Sequence, residues 1–256
     1  MSTASSSIAL SVNLNKIALI RNSREGNYPN VVAFGQKCLE AGAQGLTVHP
    51  RPDGRHIRPH DVYALRKLVS DFPGTEFNIE GNPFAPPKGD YPGLMALVKE
   101  THPHQCTLVP DSDSQLTSDH GFDLTVNRQT VEVIVQQLRE LGVRSSLFMD
   151  PIVEQVELSA AIGADRIELY TGPFAEAFQC NDNNLKVLLD DYIRAAETAK
   201  ALNIGVNAGH DLNLDNMPLF KQVPYLAEVS IGHAFTVDSL LMGMDAALKA
   251  YLEICA

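Results

Sequence analysis

The chain has 256 residues, 45% of them hydrophobic, which is enough for one large core, and no shift in composition divides it; a single domain over 1–256 is expected, with a flexible polar leader at 1–7. Acidic residues outnumber basic ones by 31 to 20, and a net charge of −11 argues against a nucleic-acid partner. No stretch approaches the roughly 18 consecutive apolar residues of a membrane helix, and Met1 to Ser7 lacks the regions of a signal peptide, so a cytoplasmic protein with no membrane partner is expected. Cys38, Cys106, Cys180 and Cys255 form no CxxC pair and read as free thiols, buried where their context is apolar.

In chain order, Ile8 to Val12 reads as a strand ending at Asn13, and a loop then carries Arg21, Asn22, Ser23 and Arg24. Val31 to Ala41 has helical spacing and stops at Gly42, and Gly45 to Val48 is a second strand. The cadence recurs. Helices at 62–69, 94–98, 131–141, 156–162, 185–202 and 217–220 precede short strands at 77–79, 106–109, 146–148, 167–169, 204–206 and 229–231, and a helix from Val237 to Ile254 closes the chain. Eight strands alternating with about eight helices favour an α/β fold, a single closed (β/α)8 TIM barrel, over an open doubly wound sheet. The open sheet is further disfavoured because Asn13-Leu14-Asn15-Lys16 stands where a glycine-rich dinucleotide turn would be.

In such a barrel the carboxyl ends of the strands carry the chemistry. After Leu46-Thr47-Val48, the residues Pro50, Pro52 and Gly54 force an irregular loop that bears His49, Arg51, Arg55 and His56. Guanidinium forks suit a phosphate or carboxylate, which an acidic protein must hold with local positive charge. Glu80 ends its strand beside a proline-rich loop, Gly81 to Pro92, placed to act as a cover; a shielded carboxylate there can work as a general base. Glu168 alternates with Ile167 and Leu169 and so faces the barrel interior, since a charge among the helices is costly. Ala208-Gly209-His210-Asp211 and Ile231-Gly232-His233-Ala234 form matched Gly-His turns on the last two strands, where barrels often bind phosphate. His56 and His60 lack the spacing of a metal site, so no metal is expected, and with no GxSxG elbow a serine nucleophile is not expected either.

These segments, with Val12-Asn13-Leu14-Asn15-Lys16-Ile17-Ala18, Leu108-Val109-Pro110 and Thr171-Gly172, run in one order along nearly the whole chain, and together the sequence resembles the pyridoxine 5′-phosphate synthase family. The resemblance implies a (β/α)8 barrel that needs no cofactor. It implies condensation of 1-deoxy-D-xylulose 5-phosphate with 3-amino-2-oxopropyl phosphate to pyridoxine 5′-phosphate, phosphate and water, in a homo-octamer. Position by position, His49 and Glu80 match the family's proton acceptors, His210 its proton donor and Glu168 its transition-state stabiliser. Arg51, His56 and Thr117 match contacts to the ketose phosphate; Asn13, Arg21, Gly232 and His233 match contacts to the amino-ketone phosphate. Three positions depart from that pattern. Asn15 and Lys16 replace an aspartate-histidine pair at the ketose phosphate, and Asp211 replaces a glycine whose backbone meets the other phosphate. Another sugar-phosphate barrel, such as an isomerase or aldolase, and a non-catalytic barrel that binds a phosphorylated metabolite are the competing readings.

Overall fold

A computed structural model describes residues 7–112 and 114–256; the rest of the expected leader lies outside them. Eight strands, β1 (Ala9–Asn13), β2 (Gly45–Val48), β3 (Glu76–Gly81), β4 (Gln105–Leu108), β5 (Arg144–Met149), β6 (Arg166–Tyr170), β7 (Gly205–Gly209) and β8 (Leu226–Ile231), pair in parallel with their sequence neighbours. The sheet closes where β8 meets β1, with Leu10 beside Val229 and Val12 beside Ile231. This is the expected (β/α)8 barrel.

Helices on the outside bury one face of each strand. They are α1 (Asn15–Asn22), α2 (Val31–Glu40), α3 (Pro59–Ser70), α4 (Leu94–Thr101), α5 (Leu124–Glu140), α6 (Val153–Ala161), α7 (Gly172–Cys180), α8 (Leu185–Ala201), α9 (Met217–Phe220), α10 (His233–Met242) and α11 (Met244–Cys255). The alternation of the strands decides what meets these helices. Leu46 and Val48, Phe77 and Ile79, Ile167 and Leu169 are fully buried in the shell. Behind β6 and β7, Phe174, Tyr192 and Phe220 form an aromatic knot with ring centroids 5.0–6.1 Å apart, and the Tyr192 hydroxyl donates to the Tyr170 carbonyl at 2.6 Å.

Three elements differ from the sequence expectation. The stretch holding Arg21 and Asn22 is the end of α1, a helix of only eight residues with no side-chain cap, held by burial of Ile17 and Ala18. α7 has no counterpart among the expected elements; it opens on Gly172-Pro173, where proline in a first helical turn gives up an N–H that has no partner there anyway. The closing helix is two helices. Gly243, at φ +88° and ψ 144°, ends one and caps the next.

The lumen is polar where many barrels are aliphatic. The Ser11 and Thr47 hydroxyls lie 2.8 Å apart, Asn78 donates to Thr47 at 3.4 Å, and the Thr107 hydroxyl sits 3.2 Å from Asn78 Oδ1 and 3.4 Å from Glu168 Oε2. Below them, Arg166 donates to Asn207 at 2.9 Å and Glu228 at 3.1 Å, while Arg144 donates to Glu76 at 3.1 Å and Gln105 at 3.0 Å. Arginines paired in this way close the amino-terminal end of the barrel.

Candidate active site

The carboxyl ends of the strands surround a cavity of about 350 Å³. Asn13, Asn15 and Lys16 reach it from the end of β1, His49, Arg51 and His56 from the loop after β2, and Glu80 from β3. Thr117 comes from the loop after β4, Glu168 from β6, His210 and Asp211 from the end of β7, and Gly232 and His233 from the end of β8. Thirteen of the fourteen predicted site residues therefore line one space. Arg21 does not. It is buried behind the β2 loop, where its guanidinium pairs with Asp61 and donates to the His56 carbonyl at 3.3 Å. The Gly81–Pro92 loop also stands apart from its expected place. Its Asn82 donates to the Asp111 carbonyl at 2.6 Å, and Phe84, Pro86 and Tyr91 pack behind His49 and Arg51, so Leu116, Thr117 and Ser118 flank the cavity instead.

The β2 loop and the loop after β4 are stapled together. Arg51 Nη1 lies 3.3 Å and Arg55 Nη1 2.9 Å from the carbonyl of Gln115. Arg51 Nη2 pairs with Asp111 at 2.5 Å, and the same Asp111 oxygen lies 3.2 Å from His49 Nε2. Asp111 escaped the sequence reading, since Pro110-Asp111 after a strand is an ordinary turn opening; the only local signal was its place at a strand end. Asn15 uses its Oδ1 to accept from the His49 backbone N–H at 2.8 Å, which fixes the start of the loop. Lys16 forms no ion pair among the described residues and keeps its charge for the cavity.

Burial sets the electrostatics. Glu80 and Glu168 are 8% and 3% exposed. Desolvation and mutual repulsion with neighbouring carboxylates raise Glu80 well above the usual range, and desolvation with the nearby Glu228 raises Glu168 to about 8. Glu168 therefore holds its proton near neutrality, and Glu80 is shifted in the same direction. The His56 ring is driven the other way, to about 2, by burial and then by His49, Arg51 and Arg55. It is a neutral imidazole whose Nδ1 accepts from the Ile57 N–H at 3.0 Å, leaving Nε2–H as the donor.

His210 sits at φ +71°, a left-handed conformation that costs a residue with a Cβ about 1–2 kcal/mol. Its ring lies between Phe148 and Tyr170, with centroids at 6.2 and 5.6 Å. Thr117 Oγ1 is 2.6 Å from Nε2, and Asp211 Oδ2 is 2.5 Å from Nδ1. The Asp211 carboxylate is thus engaged with the imidazole. An outer opening of about 840 Å³ adjoins the cavity and shares His210, Asp211 and His233, but Asp119, Glu176 and Asp215 line it and disfavour an anion. The cations Lys16, Arg51 and Arg55 line the inner cavity instead. Among the described residues no group of three or more His, Cys, Asp or Glu is placed to hold a metal. The four cysteines are free, and Cys180 is exposed while the other three are buried.

The family model described as "Pyridoxal phosphate biosynthesis protein PdxJ" matches residues 10–256. The chain belongs to this family. It is 51% identical over 246 residues to pyridoxine 5′-phosphate synthase of Xanthomonas axonopodis pv. citri, covering 96% of this chain and 95% of that protein. It is likewise 51% identical over 248 residues to the synthase of Xanthomonas campestris pv. campestris (strain B100), covering 96% of each. Among solved structures it resembles the tryptophan synthase alpha chain of Legionella pneumophila, at a TM-score of 0.65 and 12% identity over 98% of this chain and 92% of that one, a likeness of fold alone.

Proposed function

We propose that this protein is a pyridoxine 5′-phosphate synthase, joining 1-deoxy-D-xylulose 5-phosphate to 3-amino-2-oxopropyl phosphate and releasing phosphate and water. Membership of the family supports the reaction. The observation that carries the assignment of residues is the gathering of two buried glutamates and three strand-end histidines around one cavity flanked by cations. Forming an imine, expelling water and phosphate, and closing a ring by carbon–carbon bond formation need several proton transfers, which no single base can serve.

In this reading the amino-ketone arrives as an ammonium ion and gives up its proton to become a nucleophile. Glu80 and His49 accept protons; a raised carboxylate is the stronger base once it ionises. His210 returns a proton to a leaving oxygen, and Glu168 stabilises positive charge that develops at the cavity floor. Arg51, His56, Thr117, Asn15 and Lys16 hold the ketose phosphate. Asn13, His233 and the backbone N–H groups of Gly232 and Asp211 hold the amino-ketone phosphate, with α10 starting at His233 so that its N-terminus faces the anion. Arg21 buttresses the loop that carries His56. Asp211 is compatible with an anion because His210 holds its carboxylate.

Membership of a biosynthetic family supports a cytoplasmic enzyme, and no helix among the described residues is long and apolar enough to cross a membrane. Leu240 and Leu241, 77% and 81% exposed on α10, and Leu19 and Ile20 on α1 support a homo-oligomer, in line with the octamer that the sequence resemblance implies. The test is to incubate the purified protein with both substrates and follow phosphate and pyridoxine 5′-phosphate. Product that requires both substrates is expected. Consumption of the ketose phosphate alone, or binding without product, would overturn the reading.

A further inference from the structure

We infer that Asp111 is a positioning residue that decides which nitrogen of His49 faces the substrate, and that it links this choice to Arg51. The inference rests on the synthase reading for its catalytic consequence but on geometry for its substance. Asp111 is 6% exposed, and one of its oxygens, Oδ2, faces three donors: Arg51 Nη2 at 2.5 Å, His49 Nε2 at 3.2 Å and the Ser118 hydroxyl at 3.4 Å. With His49 and Arg51 against it, the carboxyl is held below its usual range despite burial and stays ionised.

A carboxylate only accepts, so His49 must present Nε2–H to it. In the neutral imidazole, the form that acts as a base, the remaining nitrogen, Nδ1, is then the unprotonated acceptor. It lies 3.8 Å from Glu80 Oε2, on the cavity side. Without Asp111 the imidazole has no such preference, and either tautomer or a rotated ring is open to it. In the wrong tautomer an N–H faces the substrate, and the base is blocked.

Arg51 gives the arrangement a second function. A phosphate arriving in the cavity competes with Asp111 for that guanidinium. When Arg51 turns to the phosphate, Oδ2 is left to His49 and Ser118, so the hold on the base tightens as the ketose binds. Removing the charge at Asp111 therefore weakens the base and frees the arginine at once.

Asp111→Asn separates these effects. The expected result is a fall in kcat of roughly 10²- to 10⁴-fold with a KM for the phosphorylated ketose that is unchanged or lower, and recovery of most of the rate in Asp111→Glu. Loosened packing would instead raise KM with the loss of rate and would not be rescued by the longer acid. Solid-state ¹⁵N spectra of histidine-labelled wild-type protein, with His49 assigned through His49→Gln, supply a readout independent of activity and of the folding of any position-111 variant. Protonated Nε2 and bare Nδ1 are expected. A resting His49 protonated at Nδ1 overturns the inference, as does an Asp111→Asn protein with wild-type kcat. A wild-type enzyme that makes no product would refute the synthase reading, while the ¹⁵N spectra would still decide the role of Asp111.

Discussion

Replacing Glu168 by glutamine is expected to stabilise the ligand-free protein at alkaline pH while removing its activity. Glu168 is buried and its folded-state pKa stands near 8, against 4.5 for an unperturbed glutamate. The folded state therefore binds the proton more tightly than the unfolded chain does. That contribution to stability is fully present below pH 4.5 and is lost as pH rises through 8. From pH 5.5 to pH 8 the loss is about 3 kcal/mol, or some 6–9 °C in Tm for a chain of this size. Glutamine is close in shape to the protonated acid, can keep the 3.4 Å contact with Thr107, and does not titrate. Thermal unfolding followed at both pH values should show wild type and variant nearly equal at pH 5.5 and the variant ahead at pH 8. Turnover should fall roughly 10²- to 10³-fold because the charge that opposes a developing cation is gone. Equal Tm differences at the two pH values would refute the reasoning, since they would mean that the buried carboxyl does not titrate between them.

Glu80→Gln keeps the shape of the side chain and its neighbour Asn13 but loses the base, so kcat should drop roughly 10²- to 10⁴-fold; near wild-type turnover would remove Glu80 from its assigned role. His56 behaves in the opposite sense to Glu168. With its folded pKa near 2, far below 6.5 in the unfolded chain, its contribution is present above pH 6.5 and declines as pH falls, by about 2 kcal/mol between pH 7 and pH 5. Denaturant melts of His56→Gln should lack that share of the acid sensitivity. A Cβ added at Gly209 would stand 2.5 Å from the Ser230 carbonyl and 3.3 Å from Glu168 Oε1, so Gly209→Ala should cost about 1–3 kcal/mol in melts and disturb turnover by shifting Glu168. Asp211→Gly releases His210 Nδ1 and should lower kcat without a comparable rise in KM for the amino-ketone phosphate, measured by steady-state kinetics.

The strand ends were legible because short apolar runs stop at polar residues where the barrel opens, and this brought Asn13, His49, Glu80, Glu168, His210 and His233 to the cavity, while Asn207, read in the same way, lies lower in β7 and accepts from Arg166 at 2.9 Å. Helices with weak local signals were less so. α1 has no cap, and α7 starts on Gly-Pro, so both depend on packing that only the closed barrel provides. Arg21 was placed by resemblance in the site, yet its partner Asp61 lies on α3, and nothing near Arg21 in the chain announces that pairing. Asp111 was invisible for the same reason. Its meaning comes from His49 and Arg51, which reach it across the mouth of the barrel rather than along the sequence.

The polar lumen separates two properties that most small domains keep in one core. Hydrophobic stabilisation resides in the shell between strands and helices, around residues such as Leu46, Ile79, Leu169 and Tyr192, while the hydroxyls, amides and carboxyls inside add little of it. Alternate side chains of the same strand thus answer to different demands, and the peptide backbone is all that joins them. A thermostable form of this barrel would be sought by repacking the shell, leaving the column from Ser11 to Glu168 untouched. A change of reaction would be sought in the opposite place, by rewriting that column above an unaltered shell.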